Sequence, residues 1–497
     1  MISRSILSSQ LGKGLELSLA FLLTVVLSRG LGPERYGDYV LMLGWLSLAT
    51  LLIGLGLQES LSRHLPGIVA AGYAPRNLLY FTLTIRLGLV LLLAGLALSL
   101  RTPLFIWLKQ PALAPYLGLL LLLFLFSQIV HLGWNYFIAQ FRVGITIATN
   151  LARNLLLIGV TGWWWRQGGL TLELVLRLLV CGYALSALMY LAAAWWQHEP
   201  DRPDWPWASS RRVIQFGLPV WGIAFLTFLL ADQTDILLLG TLLADSSQVA
   251  YYQVGTALVW KLMGVITVGS HMVLTTLTTM QERLGPAGLA QSWQSFIKLS
   301  TATVVPLYLF VALFAPQIIA LIYGDAFAPS ARFLRLFVSL MLLPVGLMGG
   351  GLHLLTLYVW ERERLALALR LAAGLLNLGL ALLLIRWWGA IGVVWATGLT
   401  ALLGTGLELL AVQRLRRQPY PWSFALKICV AVLAGGLAVG WLPVDSWLGL
   451  TVVAAIYGLV LLLAFRLLKP LTGSDQQLLN QLDIRLGHMA GWFTVAS

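Results

Sequence analysis

The stretch FLLTVVLSRGLGPERYGDYVLMLGWLSL, Phe21–Leu48, decides the fold. It consists of two apolar runs separated by one short polar turn, RGLGPERYGD, Arg29–Asp38. On either side the apolar residues are continuous. They neither alternate, as in a half-exposed strand, nor form an amphipathic stripe. Followed outward, the runs cover 12–31 and 38–58. Each is about the 20 residues that a helix needs to cross a hydrocarbon core of ~30 Å. The turn falls at Leu31–Tyr36 and includes Pro33-Glu34. The segment reads as a transmembrane hairpin.

The rest of the chain continues the pattern. Further runs fall at 78–99, 115–138, 147–165, 172–196, 214–240, 250–273, 299–322, 333–357, 366–386, 389–411, 423–442 and 446–468. That makes about 14 spans in 497 residues, joined by connections too short for a soluble catalytic domain. Composition agrees: hydrophobic residues are 59%, charged residues 10%, and mean hydropathy is +0.86. Soluble domains carry roughly 25% charged residues. A soluble enzyme, a disordered chain and a fibre are excluded, and the lack of alternation excludes a membrane β-barrel. Cys181 and Cys429 lie in separate apolar runs without CxxC spacing. They read as small buried hydrophobes, not a disulfide framework or zinc site. No small-residue cleavage site follows the first run, which reads as a retained span and not a secretory signal.

Two longer connections divide the chain: 197–212, polar and Pro-rich, and 412–422, basic and Pro-containing. The expected organisation is a six-helix unit at 1–200, a second at 201–415, two additional helices at 416–470 and a cytoplasmic amphipathic tail at 471–497. In that tail Ser474 and Gln477 form a capping-box pattern ahead of leucines at helical spacing. A weak internal repeat supports the two halves. LSRGLGPERYGDY (Leu27–Tyr39) matches LLLGTLLADSSQVAYY (Leu237–Tyr252) at an offset of 213, the difference between Tyr252 and Tyr39. Related halves with a binding site between them are a common transporter plan.

The net charge of +13 is mostly topology. With both termini in the cytoplasm, 21 of the 32 Lys and Arg residues fall on inside segments and 9 outside, which follows the positive-inside rule. Trp163–Trp165, Trp195, Trp196, Trp387, Trp388, Trp441 and Trp447 sit at span ends, where amphipathic rings anchor at the headgroups.

Phe21–Leu48 also resembles the N-terminal signature of the polysaccharide and O-antigen flippases (Wzx type) of the multidrug/oligosaccharidyl-lipid/polysaccharide (MOP) exporter superfamily. GLGLQESLSRHLP (Gly54–Pro66), DILLLG (Asp235–Gly240) with AYYQVGTAL (Ala250–Leu258), and LIYGDAFAPSARFLRLF (Leu321–Phe337) are similar to later stretches of the same family. The resemblance covers about residues 1–415. It implies two six-helix bundles around a central cavity, alternating access, and a polyprenyl-diphosphate-linked oligosaccharide carried from the inner to the outer leaflet of the cytoplasmic membrane. Two extra C-terminal spans also occur in the lipid II flippase branch.

A charge at mid-bilayer is costly and usually faces a cavity or a partner. The basic candidates for cargo are Arg29, Arg86, Arg153 and Lys261. They suit a diphosphate, since guanidinium and ammonium groups bind phosphate oxygens through charge-assisted hydrogen bonds. Each has a plain structural reading too: an interfacial anchor for Arg29, an ion pair or snorkelling for Arg86, a cytoplasmic anchor for Arg153. Lys261 is the hardest to explain by snorkelling. Gln128, His131 and Asn135 form one polar stripe, fit either for sugar hydroxyls or for interhelical hydrogen bonds. The acidic candidates are Glu16, Asp232, Asp235 and Glu408, read either as sites for a coupling proton or sodium ion or as counter-ions. His271 and His353 are isolated and read as structural. Gly349–Gly351 reads as close packing or a hinge.

No phosphate-binding loop, HExxH motif or potassium-filter sequence occurs. No metal or other cofactor is expected, and scattered basic residues at span ends do not suggest nucleic-acid binding. The leading reading is therefore a lipid-linked oligosaccharide flippase and not an enzyme. A multidrug or organic-cation antiporter of the same superfamily is the alternative, and a membrane glycosyltransferase or polymerase a more distant one. A basic cavity favours the flippase and an acidic one drug export.

Overall fold

A 51-residue helix, α1 (Ile2–Leu52), opens the chain. At 1.5 Å per residue it is far longer than a bilayer is thick. It bends at Gly32, where φ is 73° and ψ 173°, a conformation open to glycine; Pro33 begins the next turn. The expected hairpin is thus two helices meeting at a kink. Adding the repeat offset of 213 to position 32 gives 245, which lies in the break between α9 (Asp232–Leu242) and α10 (Ser246–Thr267).

This computed structural model describes residues 2–196, 210–243, 245–267 and 270–472. Most of the expected 197–212 connection and the tail helix around Ser474 lie outside the described residues. The chain divides into two compact units, Met1–Ala250 and Tyr251–Ser497.

In the first unit, α1 is followed by α2 (Leu57–Ala70), α3 (Arg76–Ser99) and the short α4 (Arg101–Trp107). Next come α5 (Leu117–Ala139), α6 (Val143–Arg166) and α7 (Leu172–Trp196). Then α8 (Ser210–Leu229) and α9 pack on α2 and α1 respectively. The core gathers Leu61, Leu65, Leu78, Leu132, Phe137 and Tyr190. Phe137 stacks on Tyr190 with ring centroids 5.7 Å apart.

The second unit holds most of α10, the kinked α11 (Ser270–Leu313), α12 (Ala315–Tyr323) and α13 (Ser330–Met341). After these come α14 (Leu352–Val359) and the closely packed pair α15 (Glu363–Trp388) and α16 (Ala390–Leu415). The last two helices, α17 (Trp422–Val439) and α18 (Trp447–Leu468), pair with each other. Helix α17 lies on α11, and the Tyr457 hydroxyl of α18 donates to the Pro306 carbonyl at 3.0 Å.

Twelve helices among the described residues are long and apolar enough to cross a membrane. One of them, Gly14–Leu52, spans two of the expected runs. Helix α10 carries most of the run expected at 250–273, so about 14 spans is compatible with the structure. The protein is an all-α integral membrane protein. Exposed apolar side chains such as Leu92, Leu188, Leu433 and Leu448 are what lipid-facing helices require. Cys181 is one of these exposed positions, not a buried one, because the outward face of a span is apolar as well.

Helices of both units are interrupted, and side chains bond to the backbone at several of the breaks. Between α13 and α14 the chain runs through a π-helical stretch, Leu342–Leu347, and then Gly349 and Gly350 with positive φ. Ser300 Oγ donates to the Val345 carbonyl (3.0 Å), Thr301 Oγ1 to Gly346 (2.9 Å), and the Tyr420 hydroxyl to Leu347. His353 Nε2 lies 2.6 Å from the Met348 carbonyl, which gives this histidine a structural task. Without water in the bilayer core, freed backbone groups persist only where such partners or a cavity receive them. The side chain of His271 lies outside the described residues.

Candidate functional site

Two interruptions in the first unit lie side by side. The first follows Leu52: Leu55 and Gly56 take φ of 47° and 62° before α2 begins. The second falls at Leu230–Ala231, between α8 and α9, where Ala231 is extended. Three side-chain bonds hold this region. Trp221 Nε1 donates at 2.6 Å to the Leu51 carbonyl, which at the first break also accepts from the Gly54 N–H at 3.1 Å. Ser60 Oγ donates to the Val213 carbonyl at 2.8 Å. Thr234 Oγ1 donates to the Phe228 carbonyl at 2.6 Å, closing the second break. At Gly56 the two backbones approach so closely that a Cβ would stand 2.1 Å from the Gly217 carbonyl oxygen.

The juxtaposed breaks border a pocket of about 310 Å³. Its polar lining is Ser47, Thr50, Gln58, Glu59, Arg86 and Gln233, and Trp221 and Phe228 supply aromatic walls. Ligand pockets run from about 300 to 1,000 Å³, so this one admits a head group, not a whole oligosaccharide.

Arg86 is its most unusual member. It sits on α3, one turn after the buried Thr82, and is 1% exposed. The Gln58 amide, oriented with its oxygen toward the guanidinium, accepts from Nη1 at 3.0 Å and Nη2 at 3.1 Å. Nε is buried with no hydrogen-bond partner. A buried guanidinium satisfied only in part, with its side chain on a pocket wall, is prepared to take further acceptors.

The other expected cargo residues take different places. Gln128 is fully buried and donates to Thr50 Oγ1 at 3.0 Å, so it stands directly behind a pocket-lining residue. Asn135 donates to the His131 carbonyl at 2.8 Å and receives Ser62 Oγ at 3.4 Å, tying α5 to α2. His131 Nδ1 is buried with no hydrogen-bond partner. The Arg153 guanidinium lies over the Tyr183 ring, 4.7 Å from its centroid, in the α6–α7 packing. Arg29 is exposed, three residues before the kink at Gly32. Lys261 belongs to the second unit, on α10, half-buried.

The acidic candidates are similarly dispersed. Glu16 Oε1 accepts from Asn150 Nδ2 at 2.8 Å, linking α1 to α6. Asp232 and Asp235 both lie in the first turn of α9, where the free N–H groups and the helix dipole favour a carboxylate. Asp235 is buried. In the second unit the buried Glu408 faces Arg370 Nε at 3.8 Å.

Sequence reasoning missed Gln58, Glu59, Trp221 and Gln233. The available signal was Gly54-Leu55-Gly56, a pair of glycines inside an apolar run followed, after Leu57, by Gln58-Glu59. Charge filtering discarded Glu59, which lies one residue beyond the expected end of its span.

Interrupted helices beside a polar pocket, in a multi-pass membrane protein, are an arrangement that many transporters share. The chain belongs to the polysaccharide biosynthesis protein family, whose model matches residues 26–332. Among solved structures it is similar to the lipid II flippase MurJ in an inward closed conformation, with a TM-score of 0.74 at 14% identity, covering 92% of this chain and 98% of that one. It is similar also to an inward-facing multidrug resistance MATE family transporter of the MOP superfamily, with a TM-score of 0.61 at 16% identity, covering 81% and 96%. A third is a Pyrococcus furiosus MOP superfamily transporter described as having a binding pocket of reverse polarity, with a TM-score of 0.51 at 14% identity, covering 84% and 96%. Among curated proteins none matches the chain in sequence. At these identities the neighbours establish the fold.

Proposed function

We propose that this protein is a flippase that carries a polyprenyl-diphosphate-linked oligosaccharide from the inner to the outer leaflet of the cytoplasmic membrane by alternating access. The observation that carries this reading is Arg86, a buried cation on a head-group-sized pocket, in a chain of a polysaccharide biosynthesis family. The diphosphate would take Arg86, and Trp221 would offer a flat apolar face to the first sugar. The rest of the glycan and the prenyl chain lie outside a pocket of this size. On this reading the termini are cytoplasmic, and the boundaries expected at 200 and 415 separate two bundles and an added helix pair.

One observation favours a second reading. The pocket lining holds one Arg and one Glu, so its charge alone does not separate an anionic cargo from an organic cation. Ligand preference does: a diphosphate ligand loses affinity in Arg86→Ala, whereas ethidium would gain it. Coupling to a proton or sodium ion through Glu16, Asp232, Asp235 or Glu408 belongs to the same proposal. Export that is indifferent to pH, sodium and membrane potential would remove it. The direct test is deletion of the gene: lipid-linked glycan should accumulate on the inner leaflet. Undiminished appearance on the outer leaflet would refute the function.

A further inference from the structure

Glu59 is unexpected in a pocket for an anion. It lies in the first turn of α2, immediately after Gln58, and lines the same pocket as Arg86. The two charges are anchored differently. Arg86 is buried and fixed by Gln58, whereas Glu59 is exposed to the cavity. No direct ion pair joins them, yet the field of Glu59 reaches Arg86. An acidic residue in a first helical turn has an ordinary explanation in the helix dipole. That explanation does not account for its place on the wall of a cation's pocket, where it opposes the binding of any anion.

We infer that Glu59 is an internal competitor of the cargo's diphosphate for Arg86, and that it limits affinity so that the head group can leave. In the empty pocket the carboxylate balances a guanidinium that is otherwise uncompensated in a poorly solvated setting. An entering diphosphate takes over Arg86 at short range and does so against the repulsion of the exposed carboxylate. On departure the field of the carboxylate again offsets the charge of Arg86 across the pocket. A carrier needs this balance, because a site that binds too tightly does not release. The inference rests on the anionic-cargo reading proposed above.

The test uses the full-length protein in detergent, with farnesyl diphosphate as the probe and calorimetry as the readout. Glu59→Gln removes one like charge beside a polyvalent anion in a solvated pocket and should tighten binding about tenfold. Glu59→Ala should do the same, and Glu59→Asp should keep the wild-type affinity. In cells, Glu59→Gln should slow glycan export although binding is stronger, a split that a purely structural role would not give. Weaker binding in both Gln and Ala variants would overturn the inference, because Glu59 would then support the ligand. Unchanged binding would also overturn it, leaving a helix-end acid. The underlying reading fails separately: wild-type protein would then show no Arg86-dependent binding of the probe at all.

Discussion

Replacing Gly56 by Ala tests whether the close approach of α2 and α8 builds the pocket. The new side chain meets two obstacles. Its backbone sits at φ 62°, where a Cβ costs about 1–2 kcal/mol. The Cβ also stands 2.1 Å from the Gly217 oxygen and 2.7 Å from the Gly217 carbonyl carbon, where ordinary contact begins near 3.4 Å. These are backbone atoms, so no rotamer change relieves them, and the helices must separate by more than 1 Å. That movement strains the Ser60–Val213 and Trp221–Leu51 bonds, each worth about 0.6–1 kcal/mol in a membrane protein. The sum is a loss of about 2–4 kcal/mol. Thermal unfolding in detergent should show the melting temperature falling by several degrees. Gly159→Ala, on α6 with open space around its Cβ, should be neutral or slightly stabilising. If Gly56→Ala melts with the wild type, the two backbones are not in contact there and the geometric reasoning is wrong.

Three further outcomes follow from the same structure. Ser60→Ala should cost about 1 kcal/mol by thermal melt, and less than that when added to Gly56→Ala, since both act on one contact. Glu408→Gln should stay within about 1 kcal/mol of wild type, while Arg370→Ala should destabilise more, because it leaves the buried Glu408 without its opposite charge; the reverse order of melting temperatures contradicts this. Arg153→Lys should lose about 0.5–1 kcal/mol through the weakened contact with Tyr183, read by the same melt, with farnesyl diphosphate affinity unchanged.

The membrane fold was legible because the solvent imposes it: long continuous apolar runs allow little else. The turn at Leu31–Tyr36 was legible as a short polar break between two apolar runs, and the structure puts the kink inside it, at Gly32. The break at Leu230–Ala231 was not visible, because it lies inside an apolar run and the nearby Thr234 bonds across it; the one after Leu347 was marked only by Gly349–Gly351, read as close packing or a hinge, and its carbonyls are satisfied by Thr301, Ser300 and Tyr420 from elsewhere in the fold. The site was legible in its charge alone. Arg86 stood out as an ion in an apolar helix, but the residues that make it part of a pocket are neutral or lie at a helix end. Gln58 and Trp221 carry no charge to flag them, and only the folded backbone brings α2 and α8 to α3. Arg153 stood out by charge as well, and its observed contact is with the Tyr183 ring; Asn135 stood out in a polar stripe, and its observed hydrogen bonds are to Ser62 and the His131 carbonyl.

The central claim is that Arg86 receives the diphosphate of a lipid-linked glycan during its passage across the bilayer. Its most direct test is transbilayer movement in proteoliposomes of a labelled polyprenyl-diphosphate-linked oligosaccharide, with ethidium as the alternative cargo. The account predicts that the wild type moves the glycan lipid and not ethidium, and that Arg86→Ala lowers the glycan rate at least tenfold while still inserting and melting as a folded protein. Movement of ethidium together with an unimpaired Arg86→Ala variant would contradict it.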